Sequence, residues 1–277
     1  MRIYISCDME GTAGVCSWMQ CDPSNTVEYP VYRRYMSQEV RAAIEGARSG
    51  GATGVLINDS HWDMRNLLWD ELPADVRLIS GSRKPFSMAQ GIDGDVAGAF
   101  FTGYHAKSGD KDGALAHTYT ADVLYNVRIN GTACSEALLN AALLGYHGVP
   151  LLLVSGDRTI VEEVGRQMPW VTPVIVKESI GHYATNSLTP AAAQAAIRAA
   201  AGDAMRNAGS AKPFVFEPPI RMELETTRVE QADFIELMPG FERIGGRTVR
   251  FVHDDYAAVF RAFVAAFRLG GAASVVA

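Results

Sequence analysis

Three short apolar runs in this chain each end on polar residues suited to binding a metal ion. Ile3-Tyr4-Ile5 leads to Asp8 and Glu10, Val55-Leu56-Ile57 to Asn58-Asp59-Ser60-His61, and the run over 96–104 to His105. Runs that are apolar throughout, rather than alternating, belong to strands buried on both faces, as in a parallel sheet. Open α/β sheets hold ligands in the crevice beyond the carboxyl ends of their strands. The pattern that restricts the fold therefore also gathers carboxylates and imidazoles at one edge of it.

Helical spacing follows the first run. Tyr32, Met36, Val40, Ile44 and Ala47 recur on one face, and Gly50-Gly51 stops that helix. Strands are expected over 55–58, 76–80 and 96–104, and 115–129 reads as extended up to a turn at Asn130-Gly131. Ser135 is placed to cap a helix over 136–146, and strands at 151–154 and 174–176 flank a helix over 159–168. This alternation predicts an α/β fold, a mostly parallel sheet with helices on both faces.

The composition changes near residue 185. Thr189-Pro190 opens an alanine-rich helix reaching Asn207, with proline where helix starts favour it. Phe214, Phe216, Ile220, Met222 and Leu224 suggest strands, 229–237 a helix, Gly245-Gly246 a hairpin within 243–252, and 256–269 a last amphipathic helix. Two units are expected: an α/β metal-binding catalytic domain over 1–184 and a smaller α+β domain over 185–277.

Composition bounds the function classes. The chain has 277 residues, 48% hydrophobic and 20% charged, with a formal net charge of −6. It is long enough for a full core and lacks the basic footprint of a nucleic-acid binder. Met1-Arg2 is soon followed by Asp8 and Glu10, leaving no room for a secretory leader, and no stretch approaches the ~20 apolar residues of a membrane span. A cytoplasmic protein with no membrane partner is expected. Its four cysteines (Cys7, Cys16, Cys21, Cys134) lack paired Cys-x-x-Cys spacing and read as reduced thiols.

Each polar position has an ordinary reading when taken alone. Asp8 and Glu10, on one face of an extended backbone, could form a solvated acidic turn, and Gly11 and Gly14 let the chain turn away. His61 and His105 could be hydrogen-bonded structural histidines; if His61 is instead a ligand, Asp59 could fix its tautomer. Glu136 could simply complement a helix dipole. His117 could be a core-edge histidine or a proton donor facing a site. Their equivalent placement at strand ends is what lets them converge. Two histidines and three carboxylates exceed the four ligands of one tetrahedral zinc and suit two ions sharing a carboxylate. Ion pairs ~3.5–4 Å apart recur in hydrolytic sites, where they acidify a bridging water and polarise the carbonyl under attack. Mixed nitrogen and oxygen donors fit zinc without excluding manganese or cobalt.

At these residues the chain resembles the D-aminopeptidase family of dinuclear-zinc peptidases. The matching stretches are Ser6-Cys7-Asp8-Met9-Glu10-Gly11, Asn58-Asp59-Ser60-His61, Lys84-Pro85-Phe86-Ser87-Met88, Gly103-Tyr104-His105-Ala106, His117, and Glu136 followed by Leu139-Asn140-Ala141. Similarity continues through Val149-Pro150, Gly156-Asp157 and Leu237-Met238-Pro239-Gly240, so it spans nearly the whole chain. The resemblance implies two zinc ions per chain, Asp8 bridging them, Glu10 and His61 completing one position, and His105 and Glu136 the other. It implies that His117 is the catalytic histidine. It also implies a short-peptide substrate with a free amino terminus, D-Ala-D-Ala for example, and a ring-shaped homo-oligomer enclosing its active sites.

Other readings stay open at this point. The same hydrolase could prefer L-aminopeptidase or amidase substrates, since the segment over 16–29, which could help to shape the pocket, matches less well. From a different class, Gly11-Thr12-Ala13-Gly14 could be the phosphate loop of a nucleotide-binding module, although it lacks the P-loop lysine and spacing. A cysteine hydrolase would have to use Cys7 or Cys134.

Overall fold

The computed structural model describes residues 1–92 and 95–273. In β1 (Arg2–Cys7), Ile3, Ile5 and Cys7 enter one apolar core while Tyr4 enters another on the opposite face. All four are fully buried, so the strand needs cover on both sides. The chain supplies it through α1 (Trp18–Cys21), α2 (Tyr29–Ser49), β2 (Gly54–Asp59), β3 (Arg77–Ile79) and β4 (Gly98–Tyr104). The hairpin of β5 (Leu124–Ile129) and β6 (Thr132–Ala133) follows, then α3 (Glu136–Tyr146), β7 (Leu151–Asp157), α4 (Arg158–Gln167), β8 (Thr172–Gly181) and β9 (Ala184–Ser187). The last third comprises α5 (Pro190–Arg206), β10 (Ile220–Thr226), α6 (Val229–Glu236), β11 (Phe241–Arg243), β12 (Thr248–His253) and α7 (Tyr256–Ala273).

The main sheet runs β3-β2-β1-β4-β7-β8-β9 and is parallel except for its β9 edge. From β1 the chain builds one way through β2 and β3; from β4 it builds the other way through β7 and β8. The crevice between the ends of β1 and β4 is thus a topological switch point, where such sheets hold ligands. A second, antiparallel sheet runs β11-β12-β10-β5-β6. The α/β class expected from the apolar runs is the class observed.

Helices α2 and α5 pack together on the Ile3 and Ile5 face, where Met36, Val40 and Ile44 meet Ala193, Ile197 and Ala201. A Cβ at Gly46 would fall 2.2 Å from the Arg198 carbonyl oxygen, so glycine is what lets these helices approach. Helices α3, α4 and α7 and the second sheet share the core on the Tyr4 face. Helix α7 is long and apolar enough to cross a bilayer by length and composition, yet half of it is buried inside the protein, with Phe260, Phe263 and Phe267 in that core.

The sheets do not divide at the boundary expected after residue 184. Helix α5 comes from beyond that point and packs in the first layer, whereas β5 comes from before it and pairs with β10 in the second sheet. The physical reason is shared burial: Val127 and Ile129 of β5 enter one core with Met222 and Leu224 of β10 and Leu139 of α3. The end of the expected second unit, 274–277, lies outside the described residues.

Local expectations hold where chemistry is local. Asn130 and Gly131 adopt left-handed φ values of 50° and 85° in the β5–β6 turn, Gly245-Gly246 separates β11 from β12, and Ser135 and Thr189 cap α3 and α5. The extended reading of 115–129 is correct only from Leu124. Before it the chain is irregular, with left-handed Leu115 and Tyr119, because its backbone bonds to His182, Ala106 and Glu136 rather than to a strand. Phe214 and Phe216 pack against the core without forming a strand, ahead of the Pro218-Pro219 pair that cannot donate to a ladder. Strand β9, with the sequence Ala-Thr-Asn-Ser, carries no apolar signal and was not expected.

One glycine offers a test of this packing. A Cβ at Gly145, inside α3, would fall 1.8 Å from the Phe214 carbonyl oxygen. Helix propensity favours Ala over Gly by about 0.8–1.0 kcal/mol, whereas forced overpacking typically costs about 1–3 kcal/mol. Gly145→Ala is expected to lower the urea midpoint of unfolding despite its better helix propensity. A raised midpoint would mean that the 212–219 segment moves aside freely.

Candidate metal centre

Asp8 leaves the end of β1 with its N–H bonded to the Thr102 carbonyl on β4 at 2.8 Å. The chain then crosses that strand backbone to backbone. Gly11 N–H donates to the Gly103 carbonyl at 2.8 Å, and a Cβ on Gly11 would fall 1.8 Å from the Tyr104 carbonyl oxygen. Gly103 has φ +69°, and a Cβ there would fall 2.1 Å from the Asp8 carbonyl oxygen. This contact turns Asp8 and Glu10 toward the crevice. His61 lies just past β2, His105 just past β4, and Glu136 opens α3 behind the Ser135 cap.

The five residues converge although they are far apart in the chain. The two Asp8 oxygens face different histidines: Oδ1 lies 3.4 Å from His61 Nδ1, and Oδ2 lies 3.3 Å from His105 Nε2. Glu10 Oε2 is 3.0 Å from His61 Nδ1, and Glu136 Oε1 is 3.4 Å from His105 Nε2. All five are buried, each 2–3% exposed.

The imidazole tautomers follow from the opposite sides of the rings. His61 Nε2 lies 2.8 Å from the Cys21 carbonyl and His105 Nδ1 lies 2.9 Å from the Ala106 carbonyl. A carbonyl only accepts, so those nitrogens carry the hydrogens. In the neutral rings the remaining nitrogens therefore aim lone pairs at carboxylates. Asp8 Oδ2, Glu10 Oε2 and His105 Nε2 have no hydrogen-bond partner among the described residues. Acceptor facing acceptor in a buried site requires a cation or a proton between them. Three overlapping groups of donor atoms meet here, Glu10 with Cys21 and His61, Asp8 with Glu10 and His105, and His105 with His117 and Glu136, and the imidazole nitrogens and carboxylate oxygens among them suit zinc. The residues fit two divalent ions.

Protons do part of that work when no metal is bound. Burial pulls the His61 pKa down, but the charges of Glu10 and Asp8 more than reverse this and hold it well above the usual imidazole value. His105 is raised in the same way, by Glu136 and Asp8 against its burial. Burial and the neighbouring Glu10 raise Asp8, whereas His61 and His105 hold Glu10 and Glu136, respectively, below the usual carboxylate range despite burial. Metal binding would have to displace those imidazole protons.

His117 is brought to the same place. Its Nδ1 lies 2.9 Å from the Leu115 carbonyl, and its Nε2 is 3.7 Å from Glu136 Oε1 and 4.0 Å from Glu10 Oε1. The ring stacks on His105 at 4.2 Å, with the edge of Trp18 5.2 Å away. Its side chain is 11% exposed, the most open of the six groups.

Several other expectations need correction. Asp59 does not orient His61; its carboxylate accepts from the N–H groups of Asn66 and Leu67 at 2.6 and 2.8 Å and holds the following loop. The Gly11–Gly14 turn is no phosphate loop. Its N–H groups already donate to Gly103, Met9, Glu39 and Ser187, leaving none to cradle an anion. Cys7 and Cys134 are buried, and burial pushes the Cys7 thiol far up and that of Cys134 to about 12, the reverse of an activated nucleophile.

Some supporting residues were missed by sequence reasoning. Fully buried Lys177 on β8 donates from Nζ to the Glu10 carbonyl and, at 2.7 Å, to the Val15 carbonyl. Glu39 of α2 accepts the Ala13 N–H at 2.9 Å. Asp157 caps α4 and also accepts the Ala106 N–H at 2.8 Å, steadying the residue beside His105. Lys177 and Asp157 both follow apolar runs, so the rule that found Asp8 and His105 points to them too. Beneath the site, Tyr104 OH bonds Ser6 and Asn140 at 2.7 and 3.1 Å, and Tyr119 OH bonds Asn140 at 2.6 Å.

A family model described as D-aminopeptidase matches residues 1–265. The chain is 36% identical over 270 residues to a D-aminopeptidase of Bacillus subtilis (strain 168), covering 95% of this chain and 96% of that one. It is also similar to a solved structure of the Zn-dependent D-aminopeptidase from Bacillus subtilis, described as a self-compartmentalizing protease. There the TM-score is 0.94 and the identity 34%, over 98% of each chain.

Two outcomes are expected. Asp8→Ala should remove binding of both divalent ions, and metal analysis that still finds two per chain would contradict the shared-carboxylate arrangement. The second concerns Glu39, whose carboxyl is pushed up to about 7 by burial. An unfolded glutamate ionises near ~4.3, so across the interval up to the folded value the unfolded chain releases a proton that the folded one keeps. Stability should therefore fall as pH rises through that interval and stay reduced above it. Glu39→Gln is expected to stabilise the protein by about 1–3 kcal/mol near ~pH 8 and by less near ~pH 5, read from urea midpoints. A pH-independent difference would contradict the raised value.

Proposed function

Because the chain belongs to the D-aminopeptidase family of zinc-dependent peptidases, we propose that it is a dinuclear zinc aminopeptidase. It removes the N-terminal residue of short peptides, above all D-amino-acid peptides such as D-Ala-D-Ala. The observation that carries this reading is the Asp8 carboxylate, with one oxygen directed to each of two imidazoles in separate donor groups. Asp8, Glu10 and His61 would hold one ion, and Asp8, His105 and Glu136 the other. When bound, two such ions polarise a substrate carbonyl and lower the pKa of coordinated water.

The protein's own residues account for the remaining chemistry. With its Nδ1 hydrogen committed to the Leu115 carbonyl, the neutral His117 ring offers an acceptor at Nε2. It therefore takes up a proton before it can give one. That order suits transfer from the attacking water to the leaving amine, and the protonated ring can also donate to the developing oxyanion. Stacking on His105 and the edge of Trp18 hold the ring in this orientation. Burial of the carboxylates excludes bulk water and strengthens their hold on cations.

A ring-shaped homo-oligomer that encloses its active sites is supported by the relative described as self-compartmentalizing. The four free cysteines agree with a reducing cytoplasmic setting, and the formal net charge of −6 with a small peptide substrate rather than nucleic acid.

Activity should disappear on chelation and return with zinc; a fully active preparation devoid of metal would refute the proposal. A panel of D- and L-aminoacyl dipeptides and amides tests the handedness, and faster L-peptide or amide cleavage would favour the alternative specificity. His117→Ala should retain both ions while turnover drops roughly 10²–10⁴-fold. Unchanged turnover would remove His117 from the mechanism.

A further inference from the structure

Two lysines that are not metal-ligand candidates reach into the loops carrying Glu10 and His61. Lys177 Nζ donates to the carbonyl oxygens of Glu10 and Val15, the latter at 2.7 Å, tying down both ends of the turn after β1. In the main sheet β8 is separated from β1 by β4 and β7, so this is a contact across strands rather than between neighbours. Lys84 Nζ donates to Asn58 Oδ1 at 2.5 Å and to the Asp59 carbonyl at 2.7 Å, at the end of β2 just before His61. Each lysine has a carboxylate nearby: Asp59 for Lys84 and Asp157 for Lys177. The clamps therefore add little net positive charge to oppose a metal ion. The His105 and Glu136 side is held differently. There Asp157 accepts the Ala106 N–H, and Glu136 itself accepts the Tyr119 N–H.

From this asymmetry we infer that Lys177 and Lys84 are positioning residues for one metal position only, the one formed by Glu10 and His61. The inference rests on the reading of those two residues as ligands of one ion. Each lysine fixes a backbone carbonyl, of Glu10 itself or of a residue close before His61. The side chain beyond it then meets the metal without a search through alternative conformations. Groups that orient metal ligands in this way are typically worth about 10–100-fold in affinity.

The test compares Lys177→Met and Lys84→Met with Glu10→Gln and Glu136→Gln in the full chain and its native assembly. Zinc is titrated against a chromophoric chelator to read the affinity of each equivalent, with thermal unfolding followed in parallel. Both lysine variants should weaken the equivalent that Glu10→Gln weakens, by roughly 10–100-fold, and leave the one that Glu136→Gln weakens unchanged. Lys177→Gln, which keeps an N–H donor, should recover part of the affinity lost in Lys177→Met. Retention of both equivalents, or loss of both in step with thermal stability, would overturn the assignment. Should Lys177→Met fail to fold, the less deeply buried Lys84→Met decides the matter. Native protein holding a single zinc equivalent would end the two-metal reading by itself. The lysine assignment would then survive if Lys84→Met and Glu10→Gln both weaken that ion, and fall if Lys84→Met does not.

Discussion

The structure depends on an opposition of acceptors. Asp8 presents its two oxygens to two imidazoles whose hydrogens are committed elsewhere, to the carbonyls of Cys21 and Ala106. Three carboxylates and two ring nitrogens buried together would repel one another without positive charge among them. Folding brings these groups together, and the free energy of binding cations, or protons in their absence, compensates for keeping them there.

The scaffold around this opposition is stiff where it needs to be. Gly11 and Gly103 let the turn after β1 press on the end of β4 with no side chain between, which sets the direction of Asp8 and Glu10. Lys177, Glu39 and Ser187 then hold that turn from below, while Asp59 and Lys84 hold the loop after β2. His117 arrives on an irregular segment whose backbone bonds to the site's own surroundings. Its greater exposure agrees with the catalytic role proposed for it, whereas the metal-ligand candidates stay buried.

Legibility in the sequence followed the range of the interactions. The strands β1, β2 and β4, the glycine stop of α2 and the capped start of α3 were readable because burial on both faces and helix-end chemistry leave marks within a few residues. The irregular course of 115–123 was not, because Leu115 and Tyr119 take left-handed φ values only to satisfy partners elsewhere. The change in composition near residue 185 likewise does not reveal that β5 will pair with β10 or that α5 will return to α2. Asp59 adjoins Ser60-His61 in the chain yet serves the Asn66 and Leu67 amides, while the distant Cys21 carbonyl orients the ring.

By itself the sequence determined which residue types end the buried strands, and with them the α/β class and the gathering of carboxylates and histidines at one edge. Those properties depend on burial and alternation, which act residue by residue. Only the tertiary structure decided which Asp8 oxygen faces which histidine, which ring nitrogens keep their hydrogens, and that lysines from β8 and from the loop after β3 bond to the loops carrying Glu10 and His61. Such properties depend on distances of a few ångströms between segments far apart in the chain, and no local pattern encodes them.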